Sequence, residues 1–277
     1  MFAFFKIFCN MASMIKPLFS LLALMGTAST TSAAVIKTET LLYRQGDTVL
    51  EGFLAYPEGG SKKPAVLIVH DWMGPSEFTQ EKAKKMAALG YVALAADIYG
   101  QGNRAKNPEE AKKLAAIRQD TDLFRKRVQA GLEALTSRKD VIQNKVVAFG
   151  FCFGGSAVLE LARSGADVAG VVSFHGGIKP THPQDAKNIK GKVLVLHGAI
   201  DPNVPDTDVA AFEKEMNDAH VDWQLVKYSG AVHAFTNPKA GNDISKGAAY
   251  NADADRRSWR AFLDFLTEVA PSSGLSR

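Results

Sequence analysis

The stretch "KVVAFGFCFGGSAVLELARSG", residues 145–165, decides the fold. It opens with the apolar run Val146–Phe151, the pattern of a strand buried on both faces. From Gly154 the apolar residues fall at helical spacing, and the pattern stops at Gly165. Cys152 stands at the change of direction, in the spacing Gly150-x-Cys152-x-Gly154. A turn this sharp leaves no room for side chains two residues either side of its apex. It lifts the apex residue clear of a sheet and sets it at a helix N-terminus, where the helix dipole favours thiolate over thiol. The glycine spacing alone also suits an ordinary buried strand end.

The same alternation runs outward in both directions. "TETLLYR" and "TVLEGFLAYP" read as strands joined by a turn at Gln45-Gly46-Asp47. "PAVLIVH" (64–70) and "YVALAAD" (91–97) are buried strands flanking the helical "SEFTQEKAKKMAALG". Residues 108–137 carry a helical pattern broken near Gln119–Thr121. "VAGVVSFHGG", "GKVLVLHG" and "VDWQLVKYSG" follow as strands, with "DTDVAAFEKEMNDAH" and residues 251–270 as helices. Strand and helix in alternation predict an α/β fold, a mainly parallel sheet with helices on both faces. The expected organisation is one domain over 35–277, with no repeat or long linker. The basic clusters at 84–85, 112–113 and 125–127 read as solvated helix faces.

The first 34 residues hold Lys6, Lys16 and no acidic group. An apolar run from Leu18 to Met25 precedes small residues ending Ser32-Ala33-Ala34, the anatomy of a signal peptide cleaved near Ala33 or Ala34. The run is short for a membrane span. The expectation is an exported protein, periplasmic or secreted, without stable membrane association after cleavage. The formal charge of +4 falls to near +2 without the leader, too weak a bias for a nucleic-acid partner. Cys9 would leave with the leader, so Cys152 would stand as a lone thiol.

Two further residues complete a chemical set. Asp201 follows the strand "KVLVLHG", and His233 follows "KYSG". Both fall at the C-terminal edge of predicted parallel strands, where open α/β sheets hold their ligands. The order Cys152…Asp201…His233 is the nucleophile–acid–base order of α/β-hydrolases. In such a set His233 takes the thiol proton and Asp201 orients the imidazole. The backbone N–H groups of Trp72 and Phe153 are the candidate oxyanion donors. Asp71, beside them, reads either as a second proton acceptor or as a loop hydrogen-bond partner. His70 and His175 end strands at the same edge and are candidates for the pocket wall. His197 reads as core, His182 and His220 as surface. No spacing typical of a zinc site occurs, and no metal or organic cofactor is expected.

The segments "EGFLAYP", "VLIVHDWMGP", "LAADIYG", "GFCFGG", "VLVLHGAID" and "AVHAF" resemble the dienelactone hydrolase (carboxymethylenebutenolidase) family of the α/β-hydrolase superfamily. The resemblance covers nearly the whole chain after the leader. It implies the α/β-hydrolase fold, a Cys152–Asp201–His233 triad and a thiol-activating carboxylate in the first loop. The family pattern has glutamate there, and this chain has Asp71. The family also holds its substrate carboxylate with two arginines. Gln101 and Asn237 occupy those places, with Arg104 nearby, which removes the strongest reason to expect an anionic substrate.

The expected function is therefore cysteine-dependent hydrolysis of a small ester, lactone or thioester through a thioester acyl-enzyme. Two other readings stay open: a non-catalytic periplasmic ligand-binding protein on a hydrolase scaffold, and a redox thiol, which the lack of a resolving cysteine disfavours. No G-x-G-x-x-G follows the first buried strand, so a dinucleotide site is excluded.

Overall fold

The computed structural model describes residues 35–275. The leader and the cleavage site read from the sequence lie outside the described residues.

Eight strands form one sheet. β1 (Ile36–Gln45) and β2 (Thr48–Pro57) make an antiparallel hairpin, closed by a two-residue turn with Gln45 opposite Thr48. Gly46 takes φ 56° there, a conformation that costs glycine little. β2 then pairs antiparallel with β4 (Val92–Ala96). The remaining strands run parallel: β3 (Lys63–Val69), β5 (Val141–Phe151), β6 (Gly170–Phe174), β7 (Lys192–Gly198) and β8 (Trp223–Tyr228). The order across the sheet is β1-β2-β4-β3-β5-β6-β7-β8. β5 is thus flanked by β3 and β6, and the strand leading to Cys152 is held on both edges.

Successive residues of the inner strands point to opposite faces, which is why their apolar runs are continuous. Leu67 and Val69 of β3 join one core with Val146 and Ala148 of β5. Val66 and Ile68 join the other, with Val147, Phe149 and Phe151. The second core is closed by α1 (Glu77–Ala88) and α6 (Ala252–Val269). The first is closed by α3 (Thr121–Thr136), α4 (Phe153–Arg163) and α5 (Asp206–Asp218). α2 (Pro108–Ala115) ends in a 3₁₀ turn, and the chain restarts at Asp120. The Asp120 carboxylate caps α3 by accepting from the Leu123 amide at 3.0 Å. That is the break the sequence placed near Gln119–Thr121.

One reading of the sequence is corrected. The cluster at 125–127 is not a solvated face: Lys126 is exposed, but Arg127 is buried and Arg125 is turned inward. Arg127 donates to Gln45 and Thr48, each at 2.9 Å. Arg125 bonds Glu160 of α4 at 2.9 Å and Asp185 at 2.8 Å. Glu160 also accepts from Arg163 at 3.0 Å, and Arg163 grips both carboxylate oxygens of Glu215 at 2.8 and 2.7 Å. A buried ionic network therefore ties α4 to α3 and α5. Net charge and helical spacing cannot distinguish such a network from a wet surface, because its acidic partners come from distant segments.

Candidate active site

β5 enters α4 through Cys152, whose backbone has φ 54° and ψ −116°. This is a left-handed conformation in a residue with a side chain, a strain met at functional sites. The flanking glycines are required by space. A Cβ on Gly150 would sit 2.2 Å from the Gly154 carbonyl oxygen, and one on Gly154 would sit 2.3 Å from that of Val69. The Cys152 amide donates to the Phe174 carbonyl at 2.9 Å, which anchors the apex to β6.

The structure brings the three residues from separate strand ends together. His233 Nε2 lies 2.9 Å from Cys152 Sγ, and His233 Nδ1 lies 2.8 Å from Asp201 Oδ2. The other Asp201 oxygen accepts from the Asn203 amide at 2.8 Å, so the carboxylate is held from both sides. The Asp201 side chain is wholly buried, and that of His233 is 14% exposed. Backbone bonds pin the histidine loop: His233 N–H donates to Gly247, and the Ala249 N–H donates to His233. Ala234, next in the chain, takes φ 58°.

Burial works against a charge on His233. The hydrogen bonds and charges of Asp201 and the Cys152 sulfur outweigh it and raise the pKa from 6.5 to about 10. A raised basic pKa stabilises the folded protein fully below the unfolded value and loses that effect as pH rises through the folded value. The stability gap between the wild type and His233→Gln is therefore expected to be widest below pH 6.5 and to narrow toward pH 10. Urea unfolding of both proteins across that range measures it. A gap that stays constant would refute the charged imidazolium.

The first loop places its groups differently from one another. The Trp72 and Phe153 amides have no protein hydrogen-bond partner among the described residues, as oxyanion donors would require. Tyr99 fixes the loop by donating its hydroxyl to the Trp72 carbonyl at 2.9 Å. One oxygen of the Asp71 carboxylate accepts from the Met73 amide at 2.9 Å. Burial raises the Asp71 pKa, while the Met73 amide and the histidines His70 and His233 oppose the rise.

His70 and His175 are not pocket-wall residues. His70 is fully buried; its Nδ1–H donates to the Asp71 carbonyl at 2.6 Å and its Nε2 accepts from the Ile98 amide at 3.4 Å. It is a neutral strut between two loops, and burial lowers its pKa. His175, also buried, packs edge-to-face on His233 at 5.3 Å and shares a 2.8 Å hydrogen bond with Thr236. His197 is buried in the core, and His182 and His220 are exposed, as their positions implied.

The two residues at the missing arginine positions are already engaged. The Gln101 amide donates to Glu51 at 2.9 Å, and Arg104 bonds the same carboxylate at 3.2 Å. Asn237 caps the turn 238–240 by accepting from the Lys239 amide at 2.9 Å. Glu51 was invisible to sequence reasoning, since it lies 50 residues from Gln101 in the chain. Among the described residues, no group of three histidine, cysteine or acidic side chains is placed to hold a metal ion.

An eight-stranded, mainly parallel sheet with its chemical groups on the strand ends is the α/β-hydrolase fold. Solved structures agree. A dienelactone hydrolase-like promiscuous phosphotriesterase from metagenomic libraries superposes with a TM-score of 0.81 at 37% identity, covering 84% of this chain and 98% of its own. A putative dienelactone hydrolase from Klebsiella pneumoniae shares the fold, with a TM-score of 0.70 at 20% identity, covering 84% of this chain and 99% of its own. The sequence profile of the dienelactone hydrolase family matches residues 50–270. A putative carboxymethylenebutenolidase of Aquifex aeolicus is 30% identical, covering 71% of this chain and 86% of that protein. The chain belongs to the dienelactone hydrolase family and is a hydrolase of the ester and lactone type.

Proposed function

We propose that this protein hydrolyses small neutral esters, lactones or thioesters with Cys152 as nucleophile, His233 as acid–base and Asp201 as its orienting carboxylate. The observation that carries the reading is the continuous chain Cys152 Sγ–His233–Asp201, at 2.9 and 2.8 Å. With the proton of the pair held on His233 Nε2, the Cys152 sulfur attacks the substrate carbonyl carbon. The amides of Trp72 and Phe153 stabilise the oxyanion, each contributing on the order of 3 kcal/mol. As the carbonyl reforms, the C–O bond, or C–S bond in a thioester, breaks. The leaving group takes the proton from His233 and a thioester to Cys152 remains. His233 then removes a proton from water, which attacks the thioester. The acid departs, and the Cys152 sulfur is left beside the protonated His233.

Substrate neutrality is supported by the polar groups near the site. Arg104 and Gln101 are committed to Glu51, and the Asn237 side-chain oxygen to its own turn. The groups at the two arginine positions, and Arg104 beside them, are thus not left to clamp a substrate carboxylate. We extend the proposal to location: the leader 1–34 directs export, and the reaction takes place outside the cytoplasm.

The test is acid quenching during turnover of a short-chain nitrophenyl ester, followed by intact-mass and peptide mass spectrometry. One acyl group on Cys152, removable by neutral hydroxylamine, is the expected result. Burst kinetics with the acyl group on another residue, or turnover with none at all, would overturn the thiol mechanism.

A further inference from the structure

Beyond the reacting groups, a second cavity borders the loop that follows His233. A cavity of about 530 Å³ is walled by Phe78, Lys82 and Lys85 of α1, Asp255 of α6, and Thr236 and Pro238 of the loop that follows His233. That volume is within the range of small-molecule sites. No member of the Cys152–His233–Asp201 chain lines it.

Two of its three cations have no anion within bonding distance. Among the described residues Lys84 pairs with Glu81 at 2.7 Å at the rim, whereas neither Lys82 nor Lys85 has a salt-bridge or hydrogen-bond partner. Aromatic faces hold both ammoniums. Lys82 Nζ lies 4.9 Å from the Phe78 ring, 4.7 Å from Trp259 and 5.7 Å from Phe151. Lys85 Nζ lies 4.2 Å from Trp259. Ring faces attract a cation but supply no acceptor for its N–H donors. Lys82 is also partly withdrawn from water: burial lowers its pKa, Lys85 adds to the fall and Asp255 opposes it. A desolvated ammonium without an acceptor is costly, and an anion in the cavity removes that cost.

The chemistry of the walls selects the anion. Three lysines face two carboxylates there, Glu81 and Asp255, so the lining carries one net positive charge. Asp255 is held by the Tyr250 hydroxyl at 3.3 Å, and burial raises its pKa. A singly charged ligand balances this lining, and a dianion exceeds it. Phe78 and Pro238 supply apolar surface for a carbon skeleton. We propose that this cavity binds a small organic monocarboxylate, with its carboxylate between the Lys82 and Lys85 ammoniums and its apolar body against Phe78 and Pro238. The site lies close to the reacting groups, because Thr236 in its wall bonds His175, which packs on His233.

Isothermal calorimetry with benzoate tests this, using the full chain carboxamidomethylated at Cys152. With the thiol blocked, the outcome is independent of the hydrolytic reading. Saturable benzoate binding is expected. It should weaken at least tenfold in Lys82→Gln/Lys85→Gln, whose glutamines keep most of the stem packing, and at least tenfold for benzamide, which has the same shape without the charge. The benzamide comparison needs no variant, so it decides even if the double substitution unfolds the protein. Absence of saturable benzoate binding, equal binding of benzamide, or equal binding by a folded double variant would overturn the proposal.

Discussion

Cys152→Ala is expected to lower kcat/KM for nitrophenyl esters by about 10⁴-fold or more, with KM changing little. Losing one member of a group that acts as a unit removes most of the chemical step, because the remaining members have nothing to act on. The substitution leaves the fold intact. Cys152 is only partly buried, and alanine adds no volume at the strained apex. His233 and Asp201 would still meet at 2.8 Å. Initial rates under steady-state conditions, together with circular dichroism, measure the effect. Cys152→Ser should retain more activity than alanine, since its hydroxyl can still be deprotonated by His233. A folded alanine variant with more than about a tenth of wild-type activity would show that the sulfur is not the nucleophile.

The second large effect concerns stability. Arg163→Ala is expected to destabilise the protein by about 3–5 kcal/mol. Arg163 is 2% exposed and makes a two-pronged contact with Glu215, a bond to Glu160 and another to the Ile178 carbonyl at 3.2 Å. Removing it leaves the Glu215 carboxylate buried without its cation, and truncation adds a cavity beneath α4. Urea unfolding should show a lower midpoint with an unchanged slope. Arg163→Lys should fall between the two, because a lysine cannot reproduce the two-pronged contact. A loss below about 1 kcal/mol would mean that water replaces the guanidinium. Because Cys152 is the N-cap of α4, this network also sets the position of the helix that Cys152 leads.

Particular residues show how much was legible in advance. The elbow was readable because its requirements are local: glycine must stand at 150 and 154, and only the nearby backbone enforces this. Asp201 and His233 were readable because strand periodicity places each at a strand's end, and parallel strands bring their ends to one edge. His70 and His175 satisfied the same rule and proved to be packing residues. Position along the chain places a residue at the edge without saying whether its ring faces solvent or interior. Asp71 stood between two readings, and one of its oxygens bonds the Met73 amide, as the loop reading requires. Gln101 and Arg104 could be seen to occupy the region of a missing clamp, but their commitment to Glu51 could not.

The sequence by itself determined the α/β architecture, the order of its elements, the elbow and the three residues whose ends converge. Each of these follows from local sterics or from periodicity, which the chain carries in short windows. Only the tertiary structure decided which charges are solvated, which histidines are buried, what engages Gln101, Arg104 and Asn237, and that two lysines line a cavity with no anion bonded to either. These depend on partners brought together from distant segments, and on how much water their packing leaves.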